Sequence, residues 1–293
     1  MLDYRHCTLC PRACGVDRTA GERGFCQMPD HILAARAALH YWEEPVISGS
    51  FGSGAVFFSG CTLRCAFCQN GVISQENFGK EVSSQELRAA FERLIDEGCQ
   101  NINLVTPTHF VPWILPALEP PLPVPVVYNC GGYESLGTLR TLEGRVQIYL
   151  PDLKYYDSAL SARYSAAPDY FAVAAQALRE MFRQVGPVRF DENGMLQSGM
   201  VVRHLVLPGA HKDSLRLLNW LADNFSPEDI RLSLMSQYTP PAGIAIRELQ
   251  RPIFTYEYRK ACERAEELGF LGYTQQRSSA DAAYTPPFDG TGL

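Results

Sequence analysis

Three cysteines fall within eight residues, Cys61, Cys65 and Cys68 in the stretch SGCTLRCAFCQN. Soft thiolates at this density suit an iron–sulfur cluster or zinc. A structural zinc site takes four ligands and a disulfide two, so three thiolates leave one coordination position to be filled from elsewhere. A zinc knuckle that borrows a distant fourth ligand is the plain structural alternative. The loop follows the apolar run AVFFSG at 55–60, where a first strand ends. Parallel α/β folds place their chemistry at that carboxyl end.

A second group, Cys7, Cys10, Cys14 and Cys26, has the spacing Cys-x2-Cys-x3-Cys-x11-Cys, with Pro11, Gly15, Gly21 and Gly24 supplying turns. Four soft ligands within twenty residues read as a closed metal site, either structural zinc or a second iron–sulfur cluster. Seven of the ten cysteines lie in the first 68 residues. The start MLDYRHCTLC carries no signal-peptide core, so the expected compartment is the reducing cytoplasm, where clustered cysteines serve metals rather than disulfides. Cys99 and Cys262 stand alone in helical segments and read as small buried hydrophobes.

The elements that must position these residues follow a βαβ rhythm. Candidate strands are AVFFSG, NINLVT at 101–106, VPVVYN at 124–129, VQIYLPD at 146–152, MVVRHLVLPG at 200–209 and IRLSLMSQY at 230–238. Between them lie helical segments; the first, SSQELRAAFERLIDEGCQ, has Ser83, Ser84 and Glu86 at its polar start and an apolar stripe of Leu87, Phe91, Leu94 and Ile95. The segment PVRFDENGMLQSG at 187–199 reads as a hairpin inserted before the fifth strand. A net charge of −6 with 20% charged residues argues against a nucleic-acid partner, which needs a basic patch. No apolar run approaches the roughly 20 residues that span a bilayer, so no membrane association is expected.

The spacing Cys-x3-Cys-x2-Cys after a first strand, with Phe67 before the last cysteine, resembles the radical S-adenosylmethionine (SAM) superfamily. In that family three cysteines hold three irons of a 4Fe-4S cluster, and the fourth iron binds the amino and carboxylate groups of SAM. The context CAFCQN, with Asn70, resembles the pyruvate formate-lyase activating enzyme branch. YLPDLKYYD and RHLVLPGAHKD resemble that branch's strand-four and strand-five elements. HYWEEPVISGSFGSGAVFFSGC is similar to an uncharacterised subgroup of activating-enzyme-like proteins.

The resemblance implies roles for single residues. Lys154 and Asp152 match a DLK element whose lysine lies beside SAM, and two residues apart on a strand they share a face. Arg203 matches the arginine of the strand-five element. Asn129, with Gly131 and Gly132 allowing close backbone approach, stands where the family contacts the SAM ribose. A buried ion pair inside the barrel is the bland reading of these residues. The glycine-rich strand-two motif that receives the SAM amino group is replaced by Thr106-Pro-Thr-His-Phe110. There Thr106 and Thr108 offer hydroxyls and carbonyls, while His109 reads first as a backbone contact and second as a catalytic group. Gln237 and Tyr238 stand where the activating enzyme places a SAM-contacting histidine, and Cys130 abuts the expected SAM site.

The expected architecture is α/β, a partial (β/α)6 TIM-like barrel at 55–276 preceded by a cysteine-rich metal-binding extension at 1–54 and followed by a loosely held tail at 277–293. The expected cofactors are a 4Fe-4S cluster at Cys61, Cys65 and Cys68, SAM, and a second metal at the N-terminal cysteines. The expected reaction is reductive SAM cleavage and hydrogen-atom abstraction. The expected partners are a glycyl radical enzyme as substrate and a flavodoxin- or ferredoxin-like reductant. Alternatives are radical SAM modification of another peptide, protein or metabolite, and a noncatalytic iron–sulfur or zinc protein.

Overall fold

The computed structural model describes residues 3–275 and 286–293. Ten strands are formed: β1 Ile32–His40, β2 Ser53–Phe58, β3 Lys80–Val82, β4 Ile102–Val105, β5 Val126–Cys130, β6 Ile148–Pro151, β7 Arg189–Phe190, β8 Leu196–Leu205, β9 Arg231–Met235 and β10 Gly272–Thr274. Their order across the sheet is β10-β9-β8-β6-β5-β4-β2-β1-β3, with β7 paired to β8. From β2 to β10 every neighbour along this path is parallel, while β1 runs antiparallel to both β2 and β3. The result is the expected α/β partial barrel.

All six expected strands are present, and a short seventh parallel strand, β10, extends them. β1, in the stretch ILAARAALH, was not expected. Much of residues 32–54 thus belongs to the sheet rather than to a separate metal-binding unit. The hairpin at 187–199 forms as β7 and β8. Its turn is held by the Asp191 carboxylate, which accepts from the backbone N–H groups of Asn193 and Met195, both at 2.9 Å.

The helices are α1 Pro45–Ser48, α2 Gly71–Ser74, α3 Ser84–Asp96, α4 Val111–Ala117, α5 Leu136–Thr141, α6 Ser158–Ser165, α7 Tyr170–Val185, α8 His211–Asn224 and α9 Thr255–Glu267. α3 opens with a reciprocal cap between Ser83 and Glu86, as its sequence indicates. Alternation along the strands sorts side chains between two faces. Val56, Phe58, Leu104, Tyr128, Tyr149 and Val202 join the main core under the helices. The opposite face carries two smaller apolar clusters. One gathers Val127, Ile148, Leu150 and Val201 around Ile47 of α1, which seals that end of the barrel. The other joins Ala55, Phe57 and Val105 with Ala35, Ile73 and Phe288.

That last contact corrects the expectation of a loose tail for its final part; residues 277–285 lie outside the described residues. Gly290 donates its N–H to the Ala35 carbonyl and Ala37 donates to Thr291, both at 2.9 Å. The Phe288 ring lies 5.4 Å from that of Phe57, and Asp289 pairs with Arg36 at 3.2 Å. Deleting residues 287–293 should therefore lower unfolding stability by about 2 kcal/mol, read as a shift in the denaturant midpoint at unchanged slope; an unchanged midpoint would show the tail to be idle.

Candidate active site

The cysteine loop leaves β2 through a constrained turn. Gly60 has φ +78°, and a Cβ placed there would overlap the Met28 side chain and stand 2.9 Å from the Cys26 carbonyl. Only glycine meets both demands. Its N–H donates to the Ile73 carbonyl at 2.7 Å, tying the loop to α2. Phe67 anchors the loop from within, its ring centroid 6.2 to 6.4 Å from those of Tyr155, Tyr164 and Tyr238.

Each thiol of the loop meets a donor. Leu63 N–H reaches Cys61 Sγ at 3.3 Å, the Ser74 hydroxyl reaches Cys68 Sγ at 3.3 Å, and the Ser165 hydroxyl reaches Cys65 Sγ at 3.0 Å. Burial, reinforced by the neighbouring thiols, pushes the Cys61 pKa up to about 12 and also raises that of Cys68. Cys65 is buried and Cys61 and Cys68 are half-buried, and donors aimed at all three sulfurs suit ligating thiolates, whose deprotonation metal binding would drive. Among the described residues no three His, Cys, Asp or Glu side chains converge on a single ion. Asn70, just before α2, has its amide oxygen buried without a hydrogen-bond partner. The residues fit a 4Fe-4S cluster with a ligand beside it.

Next to this loop a layer of buried charge crosses the interior of the barrel. Lys154 Nζ lies 2.6 Å from Asp152, whose other oxygen accepts from Arg203 Nε at 2.9 Å. Arg203 also donates to the Asn129 amide oxygen at 2.6 Å. Burial opposes ionisation of Asp152, yet Arg203 and Lys154 outweigh it and pull the carboxyl below its ordinary value. Burial likewise works against the Lys154 ammonium, but Asp152 and the Cys65 thiol hold its pKa above the usual value. Lys154 thus belongs electrostatically to both the cysteine loop and the charged layer.

Tyr170 of α7 fixes the backbone here. Its hydroxyl accepts from Lys154 N–H at 2.9 Å and faces the carbonyls of Gly131 and Asp152 at 2.9 and 2.8 Å. Gly132, with φ +77°, packs against the Asp152 carbonyl where any Cβ would collide. A Cβ on Gly131 would meet Leu63 at 2.8 Å and Lys154 at 3.7 Å. These two glycines allow the end of β5 to lie against the cysteine loop.

Glu43 completes the layer, and sequence reasoning missed it. One carboxylate oxygen accepts from Asn103 at 3.0 Å and Asn129 at 3.3 Å, and the other pairs with Arg203 at 3.3 Å. Burial raises the pKa of both Glu43 and Glu44, against the pull of Arg203. One oxygen of Glu44 and the Asn103 amide oxygen are buried without partners. The only signal was the pair Glu43-Glu44 before Pro45, inside a segment singled out for its overall texture.

Other expected residues divide. Thr106 adopts φ +59°, an uncommon conformation for a β-branched residue, and its N–H donates to the Asn129 carbonyl at 2.8 Å. The backbone thus takes a glycine-like turn where the related motif has glycines. Thr108 departs from expectation: its hydroxyl donates to Glu134 at 3.0 Å and receives Tyr128 at 3.2 Å, on the face beneath the helices. His109 Nε2 lies 2.7 Å from the Ser59 carbonyl, the backbone contact that was its first reading. Gln237 accepts from Gln275 at 3.0 Å. Cys130 is buried beside Glu134 with its pKa raised, which makes it a packing residue.

The four N-terminal thiols gather in one place. Cys7, Cys10 and Cys26 are buried and Cys14 is exposed, and Cys26 feels both Cys7 and Cys14 as electrostatic neighbours. Phe25 N–H reaches Cys14 Sγ at 3.4 Å. Arg12 joins this module to the cysteine loop, donating to the carbonyls of Thr62 at 2.9 Å and Ser165 at 2.8 Å. The buried guanidinium of Arg18 donates to the His109 carbonyl at 2.8 Å and lies 4.2 Å from the Tyr4 ring.

With this geometry in place, likeness to known proteins is informative. Residues 49–106, which span the cysteine loop, match the family described as 4Fe-4S single cluster domain. An uncharacterised protein of Methanocaldococcus jannaschii is 27% identical over 277 residues, covering 90% of this chain and 75% of that one. A radical SAM methyltransferase from Sphaerobacter thermophilus superimposes with TM-score 0.53 at 13% identity, over 75% of this chain and 65% of that one. SuiB of Streptococcus suis, solved bound to S-adenosylmethionine, superimposes with TM-score 0.52 at 12% identity, over 74% of this chain. The chain spans about half the length of SuiB, 48%. The fold is therefore that of radical SAM proteins, a partial barrel with the cysteine loop after its first parallel strand.

Two outcomes test the electrostatics. Arg203→Ala leaves Asp152 to Lys154 alone, strands Glu43 and Glu44 without their cation and should cost about 3–5 kcal/mol at pH 8. The cost should shrink toward pH 5, as the stranded carboxyls take up protons, and shrink again with Glu43→Gln added. A penalty independent of pH and of Glu43 would refute the charge argument. Burial lifts the Glu134 pKa from its ordinary 4.5 to about 7. Because the folded value is the higher one, the associated stability is full below pH 4.5 and lost as pH rises through 7, about 3 kcal/mol in all. Glu134→Gln should therefore flatten the fall in unfolding stability between pH 4.5 and 7.5; a slope equal to that of the parent protein would contradict it.

Proposed function

We propose that this chain is a radical SAM enzyme, with Cys61, Cys65 and Cys68 holding a 4Fe-4S cluster and the adjoining charged layer receiving S-adenosylmethionine. The observation that carries the reading is Lys154, bonded to Asp152 at 2.6 Å while its charge is felt at Cys65 and Cys68. An electron carrier needs no such layer beside its cluster. Held by Cys61, Cys65 and Cys68, such a cluster would supply the single electron for reductive cleavage of S-adenosylmethionine, and with it the means of hydrogen-atom abstraction from substrate.

The chain's own residues provide placement. Ser74, Ser165 and the Leu63 N–H steady the sulfurs, and donors to sulfur tune the potential of such a cluster. Asp152 fixes Lys154, while Arg203 and Glu43 orient Asn129. The buried, partnerless oxygens of Asn70 and Asn103 are acceptors for donors on a ligand. Lys154 lies beyond the end of β6 and reaches back to Asp152, so a ligand meeting one meets both.

The finer reading is activation of a glycyl radical enzyme, the hydrogen being taken from a glycine Cα of the partner protein. Its support is the match of Asp152, Lys154 and Arg203 to the strand-four and strand-five elements of the activating-enzyme branch. A flavodoxin- or ferredoxin-like protein is the proposed reductant, and the N-terminal cysteines are the proposed seat of a second metal. Neither nucleic acid nor membrane enters this reading. Among the described residues no helix is long and apolar enough to cross a membrane.

The test is anaerobic reconstitution, reduction with dithionite and chromatographic assay of 5′-deoxyadenosine from SAM. Protein with a filled cluster should exceed the Cys65→Ala variant by at least about tenfold in rate. Equal rates would overturn the proposal. A glycyl radical spectrum on an added glycyl radical enzyme then tests the finer reading.

A further inference from the structure

The four N-terminal thiols and the cysteine loop share a wall. Gly60 immediately precedes Cys61, and a Cβ on it would stand 2.9 Å from the Cys26 carbonyl. The backbone next to Cys61 therefore packs against the backbone of Cys26. A second bridge is Arg12, which lies between Cys10 and Cys14 in sequence. Its guanidinium donates to the carbonyl of Thr62, between Cys61 and Cys65, at 2.9 Å, and to that of Ser165 at 2.8 Å. The Ser165 hydroxyl in turn donates to Cys65 Sγ at 3.0 Å.

The module is also immobilised against the barrel. Arg18 is buried and bonded to the carbonyls of Pro29 and His109, each at 2.8 Å. The Leu9 carbonyl accepts from the hydroxyls of Ser135 at 3.0 Å and Thr138 at 2.6 Å. The separation of the two sites is thus fixed. Cys14 is the exposed thiol of the seven, so the module faces solvent on one side and the cysteine loop on the other.

Resting on the radical SAM reading, we infer that Cys7, Cys10, Cys14 and Cys26 hold a second iron–sulfur cluster, through which a one-electron protein donor reduces the cluster at Cys61, Cys65 and Cys68. A redox-inert zinc ion would make no use of this contact. The donor is a reduced flavodoxin- or ferredoxin-class protein. One electron passes from the donor into the N-terminal cluster and one passes on to the second cluster. No bond forms or breaks and no proton moves, so the N-terminal cluster returns to its starting state.

The first measurement is made on the full chain carrying Cys61→Ala, Cys65→Ala and Cys68→Ala, reconstituted anaerobically and analysed for iron, acid-labile sulfide and zinc. About two to four irons with matching sulfide, and an electron paramagnetic resonance signal after dithionite, are expected for a cluster held by four cysteines. Stoichiometric zinc without sulfide, or no metal, overturns the inference. The second measurement uses the unaltered protein, mixed with reduced flavodoxin and freeze-quenched. The signal identified in the triple variant should rise before the one that changes on adding SAM. The reverse order, or simultaneous appearance, overturns the relay. A protein that carries both clusters in this order and yet releases no deoxyadenosine would sink the enzymatic reading alone.

Discussion

Arg203 carries a full positive charge into the interior of the barrel, and the surrounding groups are arranged to make that tolerable. Removing an ion from water costs several kcal/mol even after relaxation, so the guanidinium must be met on all sides. Asp152 meets Nε, Asn129 meets one terminal nitrogen and Glu43 the other. Two cations, Arg203 and Lys154, face three carboxyls, Asp152, Glu43 and Glu44. The layer is neutral when one glutamate holds a proton, which is the direction in which burial pushes both. The partners come from β5, β8, the end of β6 and the segment before α1, so the layer also pins these elements in register.

That register sets where the chemistry sits. Arg203 pairs with Ser233 across β8 and β9, and its backbone bridges to Asp152. Asn129 pairs with Val105 and Leu150 on its two sides. The charged layer thus lies just below the strands' carboxyl ends, where the cysteine loop and the Thr106 turn begin. The loop is stiffened by Phe67 among three tyrosines and by Gly60 under Met28. Such stiffness holds the cysteine loop in a fixed place beside the charged layer, and small misplacements of reacting atoms cost rate steeply in any active site.

The division between what was legible and what was not follows from range. The cysteine spacing, the Asp152–Lys154 pair, the capping box of α3 and the six parallel strands are written in local patterns, and local patterns survive in a sequence. Glu43 is 160 residues from Arg203 and has no spacing that announces the contact. Thr108 engages Glu134, 26 residues away, a partner that no local spacing announces. The tail beyond residue 285 looks like a loose end by composition, yet it finds a groove on β1 that exists only once β1 has paired with β2. β1 itself was overlooked because its small, alanine-rich face has little of the β-branched character expected of strands.

The extension expected as an appendage turns out to build the site from two directions. Its first thirty residues supply Cys26 and Arg12, which press against the cysteine loop beside Gly60 and Thr62. The segment after β1 supplies Glu43 and Glu44, which enter the barrel from the end sealed by Ile47. The cysteine loop is therefore held by the N-terminal module on one side and, through Lys154, by a charge layer completed from the same extension on the other. Here the clamp and two of the counter-charges, Glu43 and Glu44, come from one stretch of chain, so the extension is part of the site's frame.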